Sequence, residues 1–175
     1  LNKAYQELKG QHFFIDDTPG IKVSEMYAKA RKLAQDNGLY MIIVDYIQLI
    51  QATGKSDSRQ QEVSEISRRL KAMARELNVP VIAVSQLSRN VESRQDKRPM
   101  LSDLRESGAL EQDADLVLFL YRDAYYNRDA APEAETEEVE LQIAKHRNGP
   151  TGKISLAFKR ETNAFFGFKK TEGEN

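Results

Sequence analysis

The spacing of apolar residues changes along the chain, and each change marks an element. His12-Phe13-Phe14-Ile15 is a short apolar run, read as a strand and closed by the turn Asp16-Asp17-Thr18-Pro19-Gly20. Met26, Tyr27, Ala30, Leu33 and Ala34 then recur at helical spacing, with Ser24 as the expected cap and Gly38 where a C′ residue belongs. Leu39 to Val44 is continuously apolar and ends in Asp45, the pattern of a strand buried on both faces. After a polar loop at 51–60, Val63, Ile66, Leu70, Met73, Ala74 and Leu77 form one helical stripe, stopped by Asn78 and Pro80. Val81 to Val84 is another apolar strand, followed at once by Ser85-Gln86.

The second half is more broken. Residues 87–100 are polar and basic, and Leu101 to Gln112 reads as a short helix with turns. Leu116 to Tyr121 is a third apolar strand, and residues 123–138, charged and Ala-rich, read as a mobile loop. Val139, Leu141 and Ile143 alternate with polar residues, as do Ile154, Leu156 and Phe158 after a Gly/Pro turn, so a hairpin is expected. Phe165, Phe166 and Phe168 suggest a last strand, and 171–175 a frayed tail. Strand–helix–strand–helix–strand with apolar strands predicts an α/β fold, a parallel sheet flanked by helices and ending in an antiparallel hairpin. In such sheets functional residues sit beyond the carboxyl ends of the strands.

Composition narrows the chemistry. The 175 residues suit one domain or a large piece of one. With no cysteine there is no disulfide framework, thiolate zinc site or cysteine nucleophile. His12 and His146 are too far apart in sequence to suggest a histidine metal cluster. Lys and Arg number 26 against 27 Asp and Glu, a net charge of −1, so no bulk electrostatic grip on nucleic acid is indicated, though local basic loops remain possible. The most apolar stretch, Leu39 to Ile50, is interrupted by Asp45 and Gln48 and is too short to cross a bilayer. The expected compartment is the cytoplasm, with no membrane partner. With no initiating Met, the chain reads as cut from something longer.

Four places carry candidate chemistry. Asp45, at a strand end, suits Mg²⁺ held through water, as in a Walker B strand, or else caps a loop or helix. Ser85-Gln86 ends the next strand and suits a phosphate sensor, or is plain loop-start polarity. Lys145 and Arg147, two apart on an extended strand, point the same way, and 144–160 holds no carboxylate to pair with them. They clamp a phosphate, or belong to a solvated basic turn with His146 as spacer. Leu101 to Asp115 is a charged, Gly-bearing segment before a buried strand: either a phosphate-binding loop using main-chain N–H groups, or a connecting helix. Gly54-Lys55-Ser56 mimics the end of a P-loop, but the required upstream Gly is Leu49, so it is rejected.

With these stretches in view, the chain resembles the C-terminal motor domain of DnaB-type replicative DNA helicases, hexameric RecA-like ATPases. The resemblance rests on residues 42–50, 79–89, 98–108 and 111–115, and on Lys145-His146-Arg147-Asn148-Gly149-Pro150; it runs from about Phe13 to Phe168 and is weakest in the acidic loop.

The resemblance implies a RecA-like sheet over residues 1–170, with 171–175 as tail. It implies Asp45 as the Walker B carboxylate of the Mg²⁺ shell and Gln86 as the γ-phosphate sensor. Lys145 and Arg147 become a finger reaching the neighbouring subunit's ATP, and Arg105, Glu106 and Gly108 lie in the segment that grips single-stranded DNA, largely through main-chain amides. The family's P-loop and catalytic glutamate lie upstream of everything seen here, so the piece is an incomplete domain expected to be inactive alone. The implied parent is a homo-hexameric, ATP-driven helicase at the replication fork, with primase and a helicase loader as partners. The alternatives are another RecA-like ATPase, of recombination or clock type, and a non-catalytic interaction fragment.

Overall fold

The computed structural model describes residues 6, 12–54, 56–126 and 135–167, with 105–107 described by backbone alone. The expectations for Lys55, for Phe168 and for the tail at 171–175 lie outside the described residues. The chain divides after Gln86 into two compact units.

In the first unit, α1 (Val23–Asp36) and α2 (Arg59–Leu77) accompany a parallel pair of strands, β1 (Ile42–Val44) and β2 (Val81–Ala83). The α2 stripe is buried as its spacing requires, with Val63, Ile66, Leu70 and Met73 inside and Ile66 fully enclosed. Burying such a side chain contributes about 1.5–3 kcal/mol. Ser58 caps α2 by accepting the Gln61 N–H, and Asn78 ends it in the left-handed region at φ 52°.

Three expectations for this unit need correction. His12 to Ile15 forms no strand: Phe13, Phe14 and Ile15 are exposed, and the local order is an Asx turn in which Asp16 accepts the Thr18 N–H and hydroxyl. Ser24 does not cap α1. Lys22 holds the N-cap position, because Val23 N–H donates to Gln51 O and Gln51 N–H to Ile21 O, so a bridge to a distant segment decides where the helix begins. Third, β1 is not buried on both faces. Ile43 is 62% exposed, and Ile82 and Val84, on the same face of the strand pair, are also exposed.

The second unit is built on an antiparallel sheet of order β3 (Leu116–Tyr121), β4 (Thr136–His146), β5 (Gly152–Lys159) and β6 (Ala164–Gly167). The expected hairpin is present and longer than its alternating core. Within the described residues the third apolar strand pairs antiparallel with β4 rather than joining a parallel sheet. Its residues alternate exposed and buried, Val117, Phe119 and Tyr121 facing inward. The expected loop at 123–138 shrinks from both sides: Asp123–Tyr126 is a helical turn (α4) and β4 begins at Thr136, while 127–134 lie outside the described residues. Before the sheet come a 3₁₀ turn at Arg89–Ser93, a 3₁₀ run at Leu101–Ser107 and the short α3 (Gly108–Asp113). Leu104 packs with Val117 and Phe119. No described helix is long and apolar enough to cross a membrane.

Candidate functional site

The parallel register pairs Val44 with Ala83, so the ends of β1 and β2 are level and Asp45 and Ser85-Gln86 emerge at one edge. Asp45 is exposed, and no described residue bonds to its carboxylate, so it caps nothing there. A lone strand-end carboxylate of this kind fits Mg²⁺ held through water and phosphate oxygens rather than in an all-protein cage. No cluster of three or more ligating side chains exists among the described residues.

Sequence reasoning gave no role to Gln48, which the structure makes the link between the two strand tips. It lies in the turn Ile47–Leu49 just after Asp45. Its amide N–H donates to Ser85 Oγ (3.2 Å) and Gln86 O (3.2 Å), and its Oε1 accepts Gln86 N–H (3.3 Å). The main chain of Gln86 is thereby held on both sides while its side chain stays exposed. Arg59 donates to Gln48 O at 2.7 Å and pairs with Glu62, whose carboxyl that guanidinium holds below the usual range. The available signal was a polar residue inside the otherwise apolar Leu39–Ile50 stretch.

In the second unit, Lys145 and Arg147 do point the same way, but onto protein. Lys145 Nζ donates to Glu111 O and Gln112 O, and Arg147 donates to Gln112 O at 3.0 Å. Both cations therefore sit on the C-terminal carbonyls of α3, whose own last turn has no basic residue. Arg147 also pairs with Asp115 at 3.2 Å, a carboxylate outside residues 144–160. His146 sits on the turn, its Nδ1 3.3 Å from Pro150 O and its ring against Gly149, the place of a spacer.

Arg105, Glu106 and Gly108 fall where the Leu101–Ser107 run passes into α3. The side chains of Arg105 and Glu106 lie outside the described residues. Gly108 has φ −50°, and a Cβ added to it would meet nothing within 4 Å. The fold itself therefore does not require glycine at this position. Sequence reasoning also missed an aromatic cavity of about 290 Å³ at the carboxyl end of β3, lined by Tyr121, Arg122, Tyr125, Tyr126 and Phe158 among others. Burial, reinforced by the bond to Asp123, pushes the Tyr121 hydroxyl up to about 12.

Level strand tips bearing a held Ser-Gln pair and a carboxylate that no described residue bonds lie where ligands bind in open α/β sheets. Comparison with known proteins makes the class specific. Residues 1–167 match the family model of the DnaB-like helicase C-terminal domain, and the chain belongs to that family. It is 60% identical over 174 residues to the replicative DNA helicase DnaC of Bacillus subtilis (strain 168) and 58% identical over 171 residues to the replicative DNA helicase DnaB of Geobacillus stearothermophilus. Each alignment covers 97% of this chain and 37% of the relative, so the chain spans well under half the length of these proteins. Among solved structures, a DnaB-like replicative helicase described with its primase interactions superposes with TM-score 0.88 at 50% identity, covering 97% of this chain and 41% of that one. A second solved structure, of an ATPase domain, also gives 0.88, at 49% identity, covering 96% of this chain and 59% of that one. The α/β fold expected from the resemblance is thereby established.

Proposed function

We propose that the protein carrying this chain is an ATP-driven helicase, a homo-hexameric ring that translocates on single-stranded DNA and separates the duplex at the replication fork. The observation that carries this reading is the 60% identity to a replicative DNA helicase across nearly the whole chain. Both named relatives are replicative helicases, which favours the reading over recombination or clock ATPases.

In this reading Asp45 holds the Mg²⁺ shell of ATP and the Gln86 side chain senses the γ-phosphate. Bound Mg²⁺·ATP supplies the phosphoryl group that water attacks. Gln48 keeps Gln86 in register with Asp45. Lys145 and Arg147 serve the nucleotide of the adjacent subunit, where cations stabilise charge developing in the transition state. Residues 105–108 hold the phosphate backbone of single-stranded DNA, which explains nucleic-acid binding by a segment of a chain with net charge −1. A primase partner is supported by the similar helicase whose structure was described with primase; a helicase loader and a cytoplasmic location complete the reading.

The test is unwinding of a forked duplex by the full-length protein with ATP and Mg²⁺. ATP-dependent strand separation is expected. A protein that binds DNA but neither hydrolyses ATP nor unwinds would instead be a non-catalytic module.

A further inference from the structure

A grip through main-chain amides works only if that backbone is held still, and the segment's own helical geometry is broken by a kink. The 3₁₀ run Leu101–Ser107 is interrupted at Leu104, whose angles are non-helical (φ −79°, ψ 15°), just before residues 105–108. Contacts with neighbouring segments restrain the chain at this break.

Asp103 receives it. Its side chain is only 5% exposed, and Arg94 meets it fork to fork: Nη1 donates to Oδ1 at 2.9 Å and Nη2 to Oδ2 at 2.8 Å. Oδ2 also accepts the Met100 N–H at 2.9 Å, and Asp103 O accepts the Ser88 N–H at 3.0 Å. The same guanidinium closes the preceding loop, donating to Arg98 O at 2.8 Å and Asp96 O at 3.3 Å. One residue later, Leu104 enters the apolar cluster with Val117 and Phe119. Consecutive residues are thus fixed by a buried ion pair and by the core, and together they set the direction in which residue 105 leaves. Both oxygens of Asp103 are engaged within the fold, and a paired guanidinium presents a planar, directional clamp that an ammonium cannot reproduce.

We infer that Arg94 and Asp103 are positioning residues that hold the backbone of 105–108 in its DNA-gripping form. The inference rests on the reading of 105–108 given above. Neither side chain needs to touch DNA; each acts through the backbone it fixes.

The experiment uses the full-length protein and three variants, Arg94→Ala, Arg94→Lys and Asp103→Asn. Affinity is read from fluorescence anisotropy of a labelled oligothymidylate with a non-hydrolysable ATP analogue. Turnover is titrated with single-stranded DNA, and hydrogen exchange is followed at the amides of 104–108. A misplaced contact geometry costs up to about a hundredfold, so Arg94→Ala and Asp103→Asn should raise both the dissociation constant and the DNA concentration for half-maximal stimulation by about ten- to a hundredfold. DNA-free turnover, and turnover at saturating DNA, should stay near wild type. Arg94→Lys should fall between, and exchange should quicken at 104–108 but not along β4 and β5. Arg94→Lys keeps a cation in place and supplies the comparison if a harsher variant does not assemble. Wild-type DNA affinity in both Arg94 variants overturns the inference. So does weakened affinity accompanied by equal loss of DNA-free turnover and faster exchange throughout the sheet, since that is general destabilisation. Gly108→Ala separates the two levels. If it weakens DNA binding while the Arg94 variants do not, only the positioning role fails; if none of the variants affects DNA binding, the assignment of 105–108 fails and the inference falls with it.

Discussion

Replacing Lys145 by Met keeps most of the aliphatic stem and removes the charge. What is lost is the pair of hydrogen bonds from Nζ to Glu111 O and Gln112 O at the end of α3. A hydrogen bond to a charged group contributes about 1.5–3 kcal/mol net, and a cation at a helix C-terminus about 0.3–1 kcal/mol. Lys145 is half-buried and one ammonium shares the two carbonyls, so about 2–3 kcal/mol is expected for the site. Arg147 is 43% exposed and its contacts are screened, so Arg147→Met should cost about 0–1 kcal/mol. Hydrogen exchange of the α3 amides in the full-length protein reads the local opening directly. At tenfold per 1.4 kcal/mol, exchange should rise about 30- to 150-fold in Lys145→Met and at most about fivefold in Arg147→Met. Equal or reversed effects would refute the claim that the Lys145 contacts hold the end of α3. If Lys145 and Arg147 turn to a neighbour's phosphate, as proposed above, they must release these carbonyls. Filling the ring with a transition-state analogue should therefore speed exchange in α3 of the wild-type protein, and no change would count against that switch.

Asp45→Asn should leave the melting temperature unchanged, because no described residue bonds to that carboxylate, and should cut ATP turnover about a hundredfold or more in the full-length protein by weakening the Mg²⁺ shell; wild-type turnover would remove Asp45 from the site. Gly108→Ala should stabilise the fold by about 0.5–1 kcal/mol, since the added methyl meets open space on helical backbone, yet weaken single-stranded DNA binding by obstructing close approach to the amides; a stabilised variant with unchanged affinity contradicts the grip at 108. Tyr121 is raised in the folded state to about 12, so the stability tied to its protonated form is complete below pH ~10, the ordinary tyrosine value, and is lost as pH rises through about 12. Tyr27 and Tyr126 are also raised, by the bond to Glu76 and by burial, so spectroscopic titration should show several late tyrosinates and Tyr121→Phe should remove the latest of them; an unchanged titration curve in that variant refutes the assignment.

The helices were legible where one period persisted: the α2 stripe and its stop at Asn78 follow from residue spacing alone. Boundaries set by distant pairing were not, and so Ser24 lost the α1 cap to the Lys22–Gln51 bridge. An apolar run identifies a strand but not how many of its faces are covered, which is why Leu39–Val44 reads as buried on both faces although Ile43 is exposed. In the candidate site, strand-end position singled out Asp45 and Gln86, and two-residue spacing aligned Lys145 with Arg147. Contacts outside any local periodicity stayed hidden: Gln48 to Ser85 and Gln86, Arg94 to Asp103, and Lys145 and Arg147 to the end of α3. Each is a polar residue whose partner only the fold can supply.

In the proposed function each ATP site is shared, Asp45 belonging to one subunit and Arg147 to its neighbour. The measurement is ATPase activity on mixing Arg147→Ala and Asp45→Asn full-length subunits, each inactive alone, with subunit exchange verified by fluorescence energy transfer. Where an Arg147→Ala subunit supplies Asp45 and the adjacent Asp45→Asn subunit supplies Arg147, the interface is whole again, so partial activity that peaks at intermediate ratios is predicted. If subunits exchange and no activity returns at any ratio, the two residues serve the same subunit's nucleotide, or the hairpin cations only cap α3, and the shared site is contradicted.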